Sequence, residues 1–170
     1  MRAKLTSILL PALTVTLLSG GAQAYEKCEP FSVFSNIAEQ KRVAIDHGDK
    51  GPSVGDRRIA SWPLRDENGD VVGQFDAEGT AHHPDSDGNL RSSADVMVQL
   101  PTGVLLYKVV PAPAMRDFIG DTSGPAVQPS AARVITGGSG VFEGATGTVD
   151  ITRGDTTVEY RFNVSCPSVH

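Results

Sequence analysis

The stretch Val134-Ile-Thr-Gly-Gly-Ser-Gly-Val-Phe-Glu-Gly-Ala-Thr-Gly-Thr-Val-Asp-Ile151 constrains the fold more than any other part of this chain. Glycines at 137, 138, 140, 144 and 147 allow positive φ or close approach to a neighbouring strand, and one Phe is fixed among them. Residues 132–136 and 147–152, on either side, read as strands. A glycine-dense corner between two strands belongs to a sharply curved β-sheet. It is not a phosphate loop, because no Lys-Ser/Thr pair follows and the next element is a strand rather than a helix. Glu143 within it reads as a brace for the corner or a solvent-facing residue rather than a catalytic one.

The rest of the chain is built in the same way. Residues 31–40 read either as a short helix capped by Ser35 or Asn36, or as an irregular lead-in. From Lys41 onward, short alternating segments are separated by turn residues, and strands are predicted at 41–47, 56–64, 71–83, 94–100, 104–110 and 156–165 in addition to the two beside the corner. Asp66-Glu-Asn-Gly-Asp70 is a tight hairpin, since Asn-Gly supplies the positive φ such turns need. A bulge is expected near Gly79. Val96, Val98 and Leu100 share one face, as do Val158, Tyr160, Phe162 and Val164. Residues 112–130, rich in Pro and Gly, have the length of a lid, a rim or an oligomer contact. About eight strands with no room for crossover helices give an all-β fold. An antiparallel barrel is the arrangement that leaves no exposed edge.

Ahead of this lies a leader. Arg2 and Lys4 precede an apolar run over 5–18, and Ala22-Gln-Ala24 is a small-x-small cleavage site, the pattern of a secretory signal peptide. The expected organisation is a signal at 1–24, a lead-in at 25–40, a barrel at 41–166 and a tail at 167–170. The expected location is the periplasm or outside the cell, with no membrane span after cleavage. In that setting Cys28 and Cys166, the two cysteines, read as a disulfide tying the N-terminal segment to the last strand. Closing so long a loop is worth roughly 4–5 kcal/mol in the chain-entropy account. A net charge of −5 without a basic cluster argues against nucleic acid or an anionic membrane as partner.

Gly137-Gly-Ser-Gly-Val-Phe-Glu-Gly144, with Gly147-Thr-Val and Val158-Glu-Tyr160, resembles the late glycine motif of allene oxide cyclases and plant dirigent proteins. Upstream, Trp62-Pro-Leu64, Val72-Gly73 and Gly79 fall where dirigent proteins carry a Pro-Leu step, a Val-Gly and a later Gly. Asp46 falls where they carry an acid. The resemblance covers about 41–165. It implies an eight-stranded antiparallel barrel, commonly trimeric, with a cavity opening at one end. It also implies steering of the cyclisation or coupling of reactive apolar molecules without a cofactor. The chain departs from the cyclases at Ala44 and Ala81, which replace a first-strand glutamate and a third-strand cysteine. It departs from dirigent proteins at Ala145-Thr146, which replaces a basic residue.

Asp46, Glu78 and Tyr107 are therefore the candidate catalytic residues, Asp46 as acid or charge stabiliser with the other two assisting. Asp76 and Tyr160 are further polar groups to watch. Pro52, Val98, Tyr160 and Phe162 are the candidate ligand contacts. No metal site is expected: His82 and His83, adjacent in a strand, point to opposite faces, and the Asp85–Asp87 turn lacks the twelfth-position acid of a calcium loop. Arg153-Gly-Asp155 is a hairpin turn. The expected function is an exported, cofactor-independent cyclase or coupling protein acting on a small apolar ligand, assembled as a homo-oligomer. A non-catalytic carrier for a lipid-like ligand ranks almost equal, and a solidly packed structural barrel ranks behind both.

Overall fold

The computed structural model describes residues 27–48, 53–84, 86, 90–112 and 133–167. Within them the alternating segments become nine strands: β1 Phe31–Asn36, β2 Lys41–Ile45, β3 Arg57–Arg65, β4 Val71–Pro84, β5 Leu90–Leu100, β6 Gly103–Ala112, β7 Arg133–Gly140, β8 Thr146–Arg153 and β9 Thr157–Ser165. Each strand from β3 to β9 is antiparallel to the next. β1 pairs with β9 along its whole length and with β3 at Phe34↔Arg65, which closes the barrel. β2 continues along β3, from Lys41↔Ser61 to Ile45↔Arg57. β1 and β2 are thus one stave of an eight-stave barrel, broken by a 3₁₀ turn at Ile37–Glu39. The turn is fastened to β3 by a forked ion pair from Arg65 Nη2 and Nε to the Glu39 carboxylate, at 2.7 and 3.2 Å. The Arg65 hydrogen bond holds the Glu39 carboxyl below its ordinary pKa.

Residues 31–40 are not a helix. Phe31, Val33 and Ser35 are buried and alternate with partly exposed neighbours, a period of two. The stacking of Phe31 on Phe162, with ring centroids 4.8 Å apart, overrides the capping character of Ser35 and Asn36. The barrel therefore begins at Phe31. The Asp66–Asp70 hairpin forms as expected: Gly69 has φ +88°, and Asp66 Oδ1 accepts the N–H groups of Asn68 and Asp70. Gly79 carries no bulge. It stays in register between Arg58 and Ala94, and the irregularities of β4 fall at its two ends.

The glycine corner lies at one end of the barrel, called the lower end here. Its backbone packs on the β5–β6 turn through Val141 N–H donating to the Thr102 carbonyl at 3.1 Å. Gly140, with φ +65°, lies against that same carbonyl, where any Cβ would stand 2.3 Å from the oxygen. The turn drives Phe142 into the interior, fully buried, with its ring 5.8 Å from Phe31. Leu64, Val98, Leu105 and Phe162 fill the layer above it, each completely buried. A side chain of this size contributes about 1.5–3 kcal/mol on burial. The Cys28–Cys166 disulfide forms at the same end, with Cα atoms 5.9 Å apart and a sequence separation of 138.

Candidate ligand site in the barrel lumen

Residues paired directly across antiparallel strands share a face, so the ladder identifies which side chains line the interior. One inward rung runs Trp62, Phe75, Val98, Leu105. The next runs Arg42, Ala60, Ala77, Val96, Tyr107, Ile135, and the one above it Arg58, Gly79, Ala94, Val109, Arg133. On the opposite wall Ile151 pairs with Tyr160 and Arg153 with Val158, and these also face inward. The lumen thus changes character along its axis. Large apolar groups fill the lower half. Alanine, glycine, two tyrosines and four arginines line the upper half, among Val96, Val109, Ile135, Ile151 and Val158.

The boundary between the halves is aromatic. Trp62 stacks on Phe75 at 4.2 Å, Phe75 meets Tyr160 at 5.5 Å, and Tyr107 stands edge-on to Phe162 at 6.2 Å. The Arg42 guanidinium lies over the Trp62 ring, 5.7 Å from its centroid. The Tyr160 hydroxyl is 3.5 Å from Ser35 Oγ, which also accepts from Gln40 Nε2 at 3.0 Å. Burial pushes the Tyr160 phenol up to about 12, against the lowering effect of the Ser35 hydroxyl, the Trp62 N–H and the charges of Arg42 and Arg133. Burial also pushes the Tyr107 phenol well above its ordinary range, with Tyr160 adding to it and Arg133 opposing. Both phenols are therefore neutral hydrogen-bond donors near pH 7. Burial also lowers the Arg133 pKa, partly offset by Tyr107 and Asp150.

The expected site residues separate into inner and outer sets. Tyr107, Tyr160, Val98 and Phe162 are buried on the inner face, Val98 and Phe162 in the packed lower half. Glu78 points outward and is paired with Arg57, whose Nε donates to its carboxylate at 2.9 Å, so the sheet separates it from the lumen. Asp76 also faces outward and accepts from Ser61 and Gln99. Asp46 lies one residue past the end of β2, exposed at the upper rim. Pro52, the turn at Asp85 and Asp87, and most of 112–130 lie outside the described residues. Arg42, Arg58, Arg133 and Arg153 were not anticipated. The available signal was phase: Arg58 alternates in step with Ala60, Trp62 and Leu64, and Arg153 with Val149 and Ile151.

A concavity of about 440 Å³ lies on the outer face of β3–β7. Its exposed lining includes Ile59, Met97 and Leu106 with the carboxylates of Asp76, Glu78 and Asp95. Among the described residues no three His, Cys, Asp or Glu side chains gather as a metal site, and His82 Nε2 is bonded to Ser93 Oγ at 2.6 Å. Among them, too, no helix is long and apolar enough to cross a membrane.

Eight antiparallel staves, closed by the pairing of β1 with β9 and β3, define a small β-barrel, and solved structures share this fold. The chain superposes on pyocyanin demethylase with a TM-score of 0.59 at 19% identity, over 80% of this chain and 99% of that one. It superposes on the Diels-Alderase AbmU from Streptomyces koyangensis with a TM-score of 0.59 at 11% identity, over 81% and 64% of the two chains. It also superposes on a nonspecific heme-binding cyclase that catalyses [4 + 2] cycloaddition during neoabyssomicin biosynthesis, with a TM-score of 0.58 at 11% identity over 82% and 65%. It spans less than two thirds of the length of the latter two. At these identities the likeness establishes the fold. No protein-family model matches the chain, and no curated protein matches it in sequence.

Proposed function

We propose that this chain is an exported barrel protein of the allene oxide cyclase and dirigent type, which takes a small, largely apolar molecule into its upper lumen and steers its cyclisation or coupling. The observation that carries this reading is the change of lining along the axis. Ala60, Ala77, Gly79 and Ala94 stand side by side on the inner face, at positions that an eight-stranded barrel otherwise fills with larger side chains of its own. A packed aromatic layer closes that region below. A flexible ligand held there has few shapes open to it, which favours a cyclisation needing one of them. Tyr107 and Tyr160 act in this scheme as protonated donors to an oxygen that gains charge in the transition state, and need no cofactor for that role. Asp46 stands at the rim as the residue that meets a ligand on entry. The cyclisation chemistry in the names of two structural neighbours agrees with this reading. The disulfide agrees with export, since such bonds persist in oxidising compartments.

Native mass spectrometry of protein purified from its host tests the reading. The wild type should carry a small molecule, and Ala77→Phe, which fills the lumen, should lose it while remaining folded. A wild type that retains and captures nothing from host extract refutes it. With the ligand in hand, Tyr107→Phe should lower turnover by roughly 10²–10³-fold with a smaller effect on binding.

The carrier reading keeps one specific support: no inward position within the described strands is a carboxylate, so general-base chemistry has no obvious residue. Release of the ligand with its mass and connectivity unchanged under all conditions favours carriage over catalysis. Assembly as a trimer belongs to the same proposal. The apolar outer groove at Ile59, Met97 and Leu106 is the surface for it, and sedimentation equilibrium is the measurement.

A further inference from the structure

We infer that the upper lumen selects small organic anions, molecules with an apolar ring-sized body and an oxyanion such as a carboxylate directed at the arginines. The inference deepens the lumen-binding reading above and rests on it. Its basis is a separation of charge across the barrel wall. The chain as a whole is acidic, with a net charge of −5. Yet the inward positions of the upper rungs bring Arg42, Arg58, Arg133 and Arg153 together from four different staves, with no acid among the inward positions of the described strands. The carboxylates of Asp76, Glu78 and Asp95 lie on the outside.

Arginines at inward positions of a barrel are costly unless something answers their charge. Arg133 is buried, and Arg42 and Arg153 are partly so. Each of these three already has an interaction within the protein. A guanidinium, however, presents five donors in a planar fork, enough to serve an internal contact and a bidentate oxyanion together. Of the acids near the mouth, the Asp56 carboxylate is engaged by the His47 and Ser53 N–H groups and the Ser53 hydroxyl, at 2.8–2.9 Å.

A second observation points the same way. Ser92 is fully buried on the inner face, paired across to Ala81, and its hydroxyl has no hydrogen-bond partner among the described residues. A buried hydroxyl left unanswered is unfavourable by itself, and a polar ligand atom in the upper lumen would satisfy it. Below, the Trp62–Phe75 stack and the alanines offer an apolar floor for the body of the ligand.

The test uses two fluorescent probes with the same aromatic body: anilinonaphthalene sulfonate, an anion, and its uncharged parent N-phenylnaphthylamine. The wild type should bind the anion about tenfold or more tightly than the parent, as charge-assisted pairing with arginine implies. The preference should shrink with added salt, and the Ala77→Phe variant should abolish both signals. The double substitution Arg58→Gln/Arg133→Gln should remove the preference while leaving the uncharged probe bound. Retained binding of that probe also shows that the variant folds. Equal binding of both probes, insensitive to salt, overturns the anion inference and leaves the lumen-binding reading intact. Probe binding that survives Ala77→Phe overturns both. Naphthoate should displace the anionic probe and inorganic phosphate at equal concentration should not. Equal displacement by phosphate overturns selection for an organic anion.

Discussion

Gly138 sits directly beneath Phe142: a Cβ on Gly138 would stand 2.8 Å from the Phe142 Cβ, 2.7 Å from its carbonyl oxygen and 2.4 Å from that of Val104. Two of these three neighbours are backbone, held by β6 and by the corner, so neither can swing aside. Gly138→Ala should therefore destabilise the fold by about 1–3 kcal/mol, the usual range for overpacking. Urea unfolding reads this directly. An unchanged midpoint would mean that the corner shifts freely, against its role as a fixed plug.

Phe142 itself is the plug. It is completely buried, meets Phe31, and is carried on a turn whose Ala145 N–H donates back to the Phe142 carbonyl at 3.0 Å. Phe142→Ala should cost about 3–5 kcal/mol, because the rigid lower staves cannot collapse into the void. Phe142→Leu should cost considerably less. Calorimetric melting of the two variants side by side separates lost volume from lost aromatic contact.

The disulfide closes a 138-residue separation and staples the segment before β1 to the end of β9. Cys28→Ser/Cys166→Ser should lower stability by roughly 2–5 kcal/mol under oxidising conditions. A reducing agent should bring the wild type to the same melting temperature as the variant and leave the variant unmoved. A variant as stable as the wild type would show that pairing of β1 with β9 alone holds this end.

Much of the architecture was legible in the sequence because strand alternation and turn chemistry are local. Asn68-Gly69 and the glycine corner place the chain reversals. Val158, Tyr160, Phe162 and Val164 declare one face, and two cysteines placed far apart in a chain with a signal-like leader pattern point to a bridge. β1 was not legible because Ser35 and Asn36 carry the signature of a helix cap, and only contact with β9 overrides it. The upper lumen was less legible still. Arg42, Arg58, Arg133 and Arg153 never lie near one another in the sequence, and barrel closure is what assembles them. Glu78 drew attention as an acid in a strand, yet its position opposite Ile59 and Asp95 puts it on the outer surface.

Asp56 gives the acid limb of stability a contributor to test. Its carboxylate is buried against the β2–β3 connection, and the hydrogen bonds from the His47 and Ser53 N–H groups hold its pKa below 3.8. A folded pKa depressed below the unfolded one contributes stability that is present above pH 3.8 and lost as pH falls through the folded value. Glu39, lowered by the Arg65 hydrogen bond, acts in the same direction. The wild-type melting temperature should therefore fall between about pH 5 and pH 2. Asp56→Asn should be less stable at neutral pH, because the amide meets N–H groups that need an acceptor, and its curve should be shallower through the same window. The two curves should converge toward the acid end, with the residual slope of the variant reporting Glu39. Parallel curves across the whole window would show that the Asp56 carboxylate is equally solvated in the folded and unfolded chain, and that the connection behind β3 is held by something other than its charge.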